Sequence, residues 1–83
     1  MYTIVIPRTI QKAIIKLGAI NGRRVLAAIR SLADDPRPHE CKKLANREAW
    51  RIRVGDYRVI YEIDDQTLTV LIVEAGHRRE AYR

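Results

Sequence analysis

Apolar and polar residues alternate along this chain with two different periods, one near 3.6 residues in the first half and one of two residues in the second. Tyr2 to Ile6 is a short β-branched run closed by Pro7, which predicts a first strand. Ile10, Ala13, Ile14 and Leu17 then recur at helical spacing, with Gln11, Lys12 and Lys16 on the other side and Gly18 placed to stop the helix. Asn21 is the expected cap of a second helix, whose apolar stripe is Val25, Leu26, Ile29, Leu32 and Ala33 and whose outside carries Arg23, Arg24 and Arg30. The short Gly18 to Asn21 connection predicts an antiparallel helix pair. Asp34-Asp35-Pro36-Arg37-Pro38 ends it, because a residue before proline is pushed out of helical geometry, and a basic loop is expected from there to Glu48.

From Ala49 onward the period is two. In Trp50, Arg51, Ile52, Arg53 and Val54 the apolar side chains point one way and both arginines the other. Gly55-Asp56 is a two-residue hairpin signal, since glycine accepts the positive φ that such turns require. The turn fixes the register: Val54 opposite Tyr57, Arg53 opposite Arg58, Ile52 opposite Val59, Arg51 opposite Ile60 and Trp50 opposite Tyr61. Strands are expected over Ala49 to Val54, Tyr57 to Ile63 and Leu68 to Ala75, the last two joined through Asp64-Asp65-Gln66-Thr67. Pairing Ile63 with Leu68 sets Tyr57, Val59 and Tyr61 against Glu74, Ile72 and Val70 on a mostly apolar face that meets the helices. The order β-α-α-β-β-β gives one α+β domain over residues 1–83, a two-helix hairpin packed on one face of a largely antiparallel four-stranded sheet.

The other sheet face is basic. Arg51, Arg53, Arg58 and Glu62 stand there over an apolar floor of Ile60, Leu71 and Val73. A formal net charge of +6 on 83 residues favours an anionic partner, and the excess is focused: residues 42 to 58 hold six basic and two acidic side chains, whereas residues 59 to 83 hold three arginines against five carboxylates. Arg53 directly opposite Arg58 costs up to about 1 kcal/mol unless a carboxylate or a bound anion relieves it. The everyday alternative is a solvated sheet face with Glu62 as counter-ion. After the last strand come Gly76, His77, Arg78, Arg79, Glu80, Ala81, Tyr82 and Arg83, a basic tail expected at the hairpin's end of the sheet. Trp50 and Tyr61 fall on the core face and are expected to pack rather than to stack on bases. One cysteine excludes an internal disulfide, His39 and Cys41 alone do not make a metal site, and no long apolar run suggests membrane insertion, so a cytoplasmic setting is expected.

The segments Lys43-Leu44, Trp50 to Tyr61 (WRIRVGDYRVIY) and Gly76 to Arg83 (GHRREAYR), together with the Asp-Pro-Arg-Pro loop and the element order, resemble the RelE toxins of the RelE/ParE superfamily over nearly the whole chain. The resemblance implies the toxin of a type II toxin-antitoxin pair that enters the ribosomal A site and cuts messenger RNA. The 2′-hydroxyl attacks the adjacent phosphate, leaving a 2′,3′-cyclic phosphate and a 5′-hydroxyl, and no metal or cofactor is implied. It also implies a cognate RelB-like antitoxin, with operator DNA bound through that antitoxin. Carried over by position, Arg51 and Arg53 take the two basic places before the turn, Arg58 the arginine after it, Arg78 the arginine after the last strand and Tyr82 the terminal tyrosine.

Such a reaction needs a base for the 2′-hydroxyl, an acid for the leaving oxygen and cations for the charge building on phosphorus. Arginine serves as the cation and is a poor base. Many RelE relatives carry lysines where this chain has Arg51 and Arg53, so the base is open: His77 is the intrinsic candidate, with Glu48 and Tyr82 as rivals. Arg58 and Arg78 are expected to clamp phosphate, Arg51 and Arg53 to face the backbone or transition state, and Tyr82 to stack or transfer a proton. Lys42, Lys43, Arg47, Arg79 and Arg83 are expected to contact RNA or steer its approach. Two other readings stand beside this one: a ParE-like gyrase inhibitor on the same fold, and an RNA-binding relative without catalysis.

Overall fold

The computed structural model describes residues 1–77. The elements run β1 (Thr3–Val5), α1 (Arg8–Ile15), α2 (Ala19–Ser31), β2 (Lys42–Lys43), β3 (Trp50–Val54), β4 (Tyr57–Asp64) and β5 (Thr69–His77). Among the described residues the sheet has five strands in the order β1-β5-β4-β3-β2, with β1 parallel to β5 and the other neighbours antiparallel. The fifth strand is the difference from expectation. Lys42 and Lys43, in the segment expected as loop, pair with Arg51 and Trp50, and the Leu44 N–H donates to the Ala49 carbonyl at 2.9 Å to close the connection.

The helices form where the apolar spacing predicts them. Pro7 opens α1, its carbonyl taking the N–H groups of Ile10 and Gln11 at 2.9 Å each, and proline loses nothing at a helix start. The second helix begins earlier than expected. Gly18, at φ 89°, is its N-cap, and the Gly22 N–H reaches the Gly18 carbonyl at 2.8 Å. Asn21 is therefore inside the first turn rather than its cap. Its amide has a tertiary partner instead, donating to the Tyr57 hydroxyl at 3.2 Å. Gly22 is buried where α1 and α2 meet, and a Cβ there would lie 3.1 Å from the Ile14 carbonyl oxygen, so the close approach of the two helices depends on it.

Both helices cover one sheet face. Ile14, Val25, Ile29 and Leu32 pack on Ile52, Val59, Tyr61, Val70 and Ile72, with Trp50 and Tyr57 at the margin as core-face residues. Tyr61 is fully buried, and its hydroxyl donates to the Pro36 carbonyl at 2.8 Å, fastening the segment after α2 to the central strand. Burial holds that hydroxyl protonated, well above the ordinary phenol range, with Cys41 beside it acting in the same direction.

The β4–β5 register departs from the expected one for a local reason. The Asp64 carboxylate accepts the N–H groups of Gln66 at 3.0 Å and Thr67 at 3.2 Å, and Leu68 takes a left-handed φ of 52°. The turn thus consumes Leu68, and Asp64 pairs with Thr69 rather than Ile63 with Leu68. Next to this turn, Asp65 accepts the Tyr2 hydroxyl at 2.6 Å and both terminal nitrogens of Arg37 at 3.3 and 2.9 Å, while Arg37 lies 5.1 Å over the Trp50 ring. This clip joins the chain start, the post-helix segment and the β4–β5 turn.

Removing the Tyr61 hydroxyl leaves a buried carbonyl unpaired, which costs about 1–3 kcal/mol; Tyr61→Phe is expected to lower unfolding free energy in urea by that amount with an unchanged m value. Hydrogen bonds from Arg37 and then Tyr2 hold Asp65 below its ordinary value of 3.8. A carboxyl depressed in the folded state contributes stability that is complete above about pH 4 and is lost as pH falls through the lowered value. Melting temperature measured from pH 6 down to pH 2 is expected to fall less steeply below pH 4 in Asp65→Asn than in the unsubstituted protein.

Candidate functional site

The β3–β4 hairpin has the register that its turn dictates, with Arg53 opposite Arg58 and Arg51 opposite Ile60. Gly55 sits at φ 61°, and a Cβ there would lie 3.2 Å from an Arg24 guanidinium nitrogen. Arg24 of α2 thereby adds a cation at the hairpin tip that the helical pattern had assigned simply to the outside of the helix.

Because β4 side chains alternate, Tyr57, Val59, Tyr61 and Ile63 face the helices, while Arg58, Ile60 and Glu62 face the open side with Arg51 and Arg53. The three arginines are not equivalent. Arg53 is exposed and Arg51 half-buried, whereas Arg58 is only 6% exposed. Burial distinguishes the two like charges of the Arg53–Arg58 pair: Arg53 is exposed, whereas Arg58 is buried and engaged in an interaction of its own. Ile60 and Ala49 are buried beneath, packed by Leu44 and Val73, so this face has an apolar floor of its own.

An irregularity in β5 decides what joins the arginines. Tyr61 pairs with Ile72 but Ile60 pairs with Glu74, so Val73 is an extra residue in β5, a β-bulge. Beyond the bulge every β5 side chain changes face relative to an unbroken ladder. Glu74 therefore stands beside Ile60 on the arginine face, and not opposite Tyr57 among core residues as the sequence pairing had it. One row across the sheet reads Glu74, Ile60, Arg51, Lys42, and the next reads Gly76, Arg58, Arg53. Glu74 is half-buried, and its Oε2 is shielded and has no hydrogen-bond partner among the described residues.

The same bulge carries His77 to the helix side. His77 pairs with Tyr57, and the two rings meet edge to face at a centroid separation of 6.0 Å and an angle of 89°. It is thus not brought together with Arg51, Arg53 and Arg58. Glu48 lies in the β2–β3 connection, exposed and in an ion pair with Lys43 at 3.0 Å. Lys42 shares a face with Arg51 through their pairing, and Arg47 is exposed in the connection near Lys43. Arg78, Arg79, Tyr82 and Arg83 lie outside the described residues. Among the described residues, no cluster of three or more His, Cys, Asp or Glu side chains is placed to hold a metal ion, and no helix is long and apolar enough to cross a membrane.

A sheet face with graded arginines, an apolar floor and one inserted carboxylate has the charge and chemistry suited to an anionic partner. The two residues that sequence reasoning missed, Arg24 and Glu74, depend on tertiary packing and on a bulge that no glycine or proline announces.

Comparison with known proteins agrees with this architecture. The toxin RelG of Mycobacterium tuberculosis is 39% identical over 66 residues, covering 72% of this chain and 76% of RelG. The RelE chain in the archaeal RelE–RelB complex of Pyrococcus horikoshii superposes with a TM-score of 0.83 at 30% identity, over 96% of this chain and 98% of that one. The M. tuberculosis RelBE2 toxin-antitoxin complex gives a TM-score of 0.71 at 31% identity, over 93% and 98% of the respective chains. The isolated Escherichia coli RelE toxin shares the fold, at a TM-score of 0.80 and 21% identity over 99% of this chain and 92% of that one. The family model described as the ParE toxin of the type II toxin-antitoxin system, parDE, matches residues 8–82, and the chain belongs to this RelE/ParE toxin family, as a RelE-type member.

Proposed function

We propose that this toxin is a ribosome-dependent endoribonuclease that cuts messenger RNA in the A site and so stops translation. The observation that carries the reading is the sheet face opposite the two described helices, on which the hairpin register gathers Arg51, Arg53 and Arg58. On this reading Arg58 grips the scissile phosphate through its guanidinium fork, and Arg51 and the exposed Arg53 meet the charge that builds on phosphorus. Arg78 and Tyr82, outside the described residues, are assigned the roles that the family resemblance implies, phosphate clamp and stacking or proton-transfer group. Lys42, Lys43, Arg47, Arg79 and Arg83 provide contacts to ribosomal RNA and long-range steering. No step calls for a metal or an organic cofactor.

The partner that restrains such a surface is a cognate antitoxin of the RelB kind, as in the solved complexes of the relatives. An acidic or amphipathic antitoxin segment lying over the arginine face would supply the anion that relieves the Arg53–Arg58 pair. Operator DNA would then be bound through the antitoxin, and the toxin would act in the cytoplasm.

A programmed-ribosome assay with mapping of cleavage ends, run beside a gyrase supercoiling assay, tests the reading. Ribosome-dependent cuts ending in 2′,3′-cyclic phosphate are expected, with supercoiling unaffected. Intact messenger RNA at saturating toxin together with blocked supercoiling would instead assign the chain to the gyrase inhibitors. Within the first outcome, Arg58→Ala is expected to slow cleavage by about 10²–10³-fold, the usual loss when a donor to a developing negative charge is removed. Arg53→Glu is expected to weaken ribosome binding and to reduce its dependence on salt, read from binding titrations at a series of ionic strengths.

A further inference from the structure

We infer that Glu74 is the general base of this toxin, the group that takes the 2′-hydroxyl proton, an inference that rests on the endoribonuclease reading. Three observations converge on it. The bulge at Val73 turns Glu74 onto the arginine face, beside Ile60 and in one row with Arg51. Its Oε2 is shielded from solvent with no hydrogen-bond partner among the described residues. An unpaired shielded carboxylate oxygen costs stability, and native proteins keep such groups where function uses them. Finally, the position opposite Arg58 is Gly76, which has no side chain to stand between that arginine and the end of the sheet.

The geometry suits the reaction. Glu74 is the diagonal cross-strand neighbour of Arg58, and such neighbours lie roughly 7–8 Å apart. That span accommodates a phosphate held by the guanidinium with the adjacent ribose 2′-hydroxyl turned to the carboxylate. The carboxylate removes the 2′-hydroxyl proton, the 2′-oxygen forms its bond to phosphorus, and the bond from phosphorus to the 5′-oxygen breaks. The leaving 5′-oxygen takes its proton from water. Arg58 and Arg51 hold the charge on the phosphorane oxygens.

The other candidates are placed less well. Glu48 is exposed and tied to Lys43 in the β2–β3 connection, and His77 stands on the helix side against Tyr57. Glu62 shares the arginine face but is exposed, pairing with Leu71 further from the hairpin.

Single-turnover cleavage on programmed ribosomes with full-length toxin tests this role. Glu74→Gln keeps the side chain's shape and is expected to slow cleavage about 10²-fold or more. Ribosome affinity is expected to stay unchanged and the melting temperature to be no lower, since an unpaired shielded carboxylate is costly to the fold. Glu62→Gln is expected to cleave as the unsubstituted toxin does. In Glu74→Ala, added formate is expected to restore part of the rate, which a purely structural carboxylate would not allow. Cleavage by Glu74→Gln within about threefold of the unsubstituted rate, or a slower rate in Glu74→Ala that formate does not restore, would overturn the assignment and leave the endoribonuclease reading intact. If the unsubstituted toxin made no cuts, both would fall together.

Discussion

Strand β4 is hydrogen-bonded along both edges, and its side chains alternate between the helix layer and the open face. Everything else is arranged by which way those side chains point. A slip of one residue would drive Arg58 into the apolar core and lift Val59 and Tyr61 into water, so the register is held by more than ladder bonds. The Gly55-Asp56 turn pins the β3 edge, and the bond from Tyr61 to Pro36 anchors the buried side. On the β5 edge, Asp64 closes the turn and the Val73 bulge reconciles a mismatch. The buried Val70 and Ile72 and the half-buried Ala75 all reach the helix side only because one residue is skipped between Ile72 and Ala75.

That skipped residue links stability to chemistry. An unbroken ladder keeping Val70 and Ile72 inward would also turn Glu74 inward, where a carboxylate without a partner is costly. The bulge sends it outward at the place where β3 and β4 present arginines. Fold and site thus draw on one irregularity: the core gains Ala75, the open face gains its carboxylate, and His77 goes to Tyr57. The like-charged Arg53–Arg58 pair belongs to the same compromise. Its cost is limited by the unequal burial of the two heads, and an anion bound between them offsets it further.

Much of this was legible in the sequence, and the reason differs by element. The β3–β4 pairing could be read residue by residue because a glycine turn with a two-residue loop leaves one register. The helix stripes and the α+β class followed from periodicity. Asn21 misled because its amide, suited to a cap, is used by Tyr57 instead, and a contact 36 residues away leaves no local mark. Strand β2 was hidden because two lysines carry no strand preference and pair only once β3 offers its edge. Parallel pairing of β1 with β5 is a long-range choice that a three-residue strand does not announce. The bulge was invisible for a related reason: Val73-Glu74-Ala75 has no glycine or proline, and only the matching of apolar positions on both sides of it forces the extra residue.

The consequence for the site is that residue type and residue placement give different answers. By type, His77 is the natural proton acceptor and arginine is excluded, which leaves a basic surface without a base. By placement, the imidazole goes to the helix side and a carboxylate arrives among the arginines. On the proposed reading the carboxylate takes the proton and the neighbouring arginines stabilise the alkoxide and phosphorane that follow. Arginine at both β3 positions fits that proposed division of labour better than lysine, because a guanidinium keeps its charge and its fork matches phosphate, so that in the proposal proton removal falls to a neighbour across the sheet.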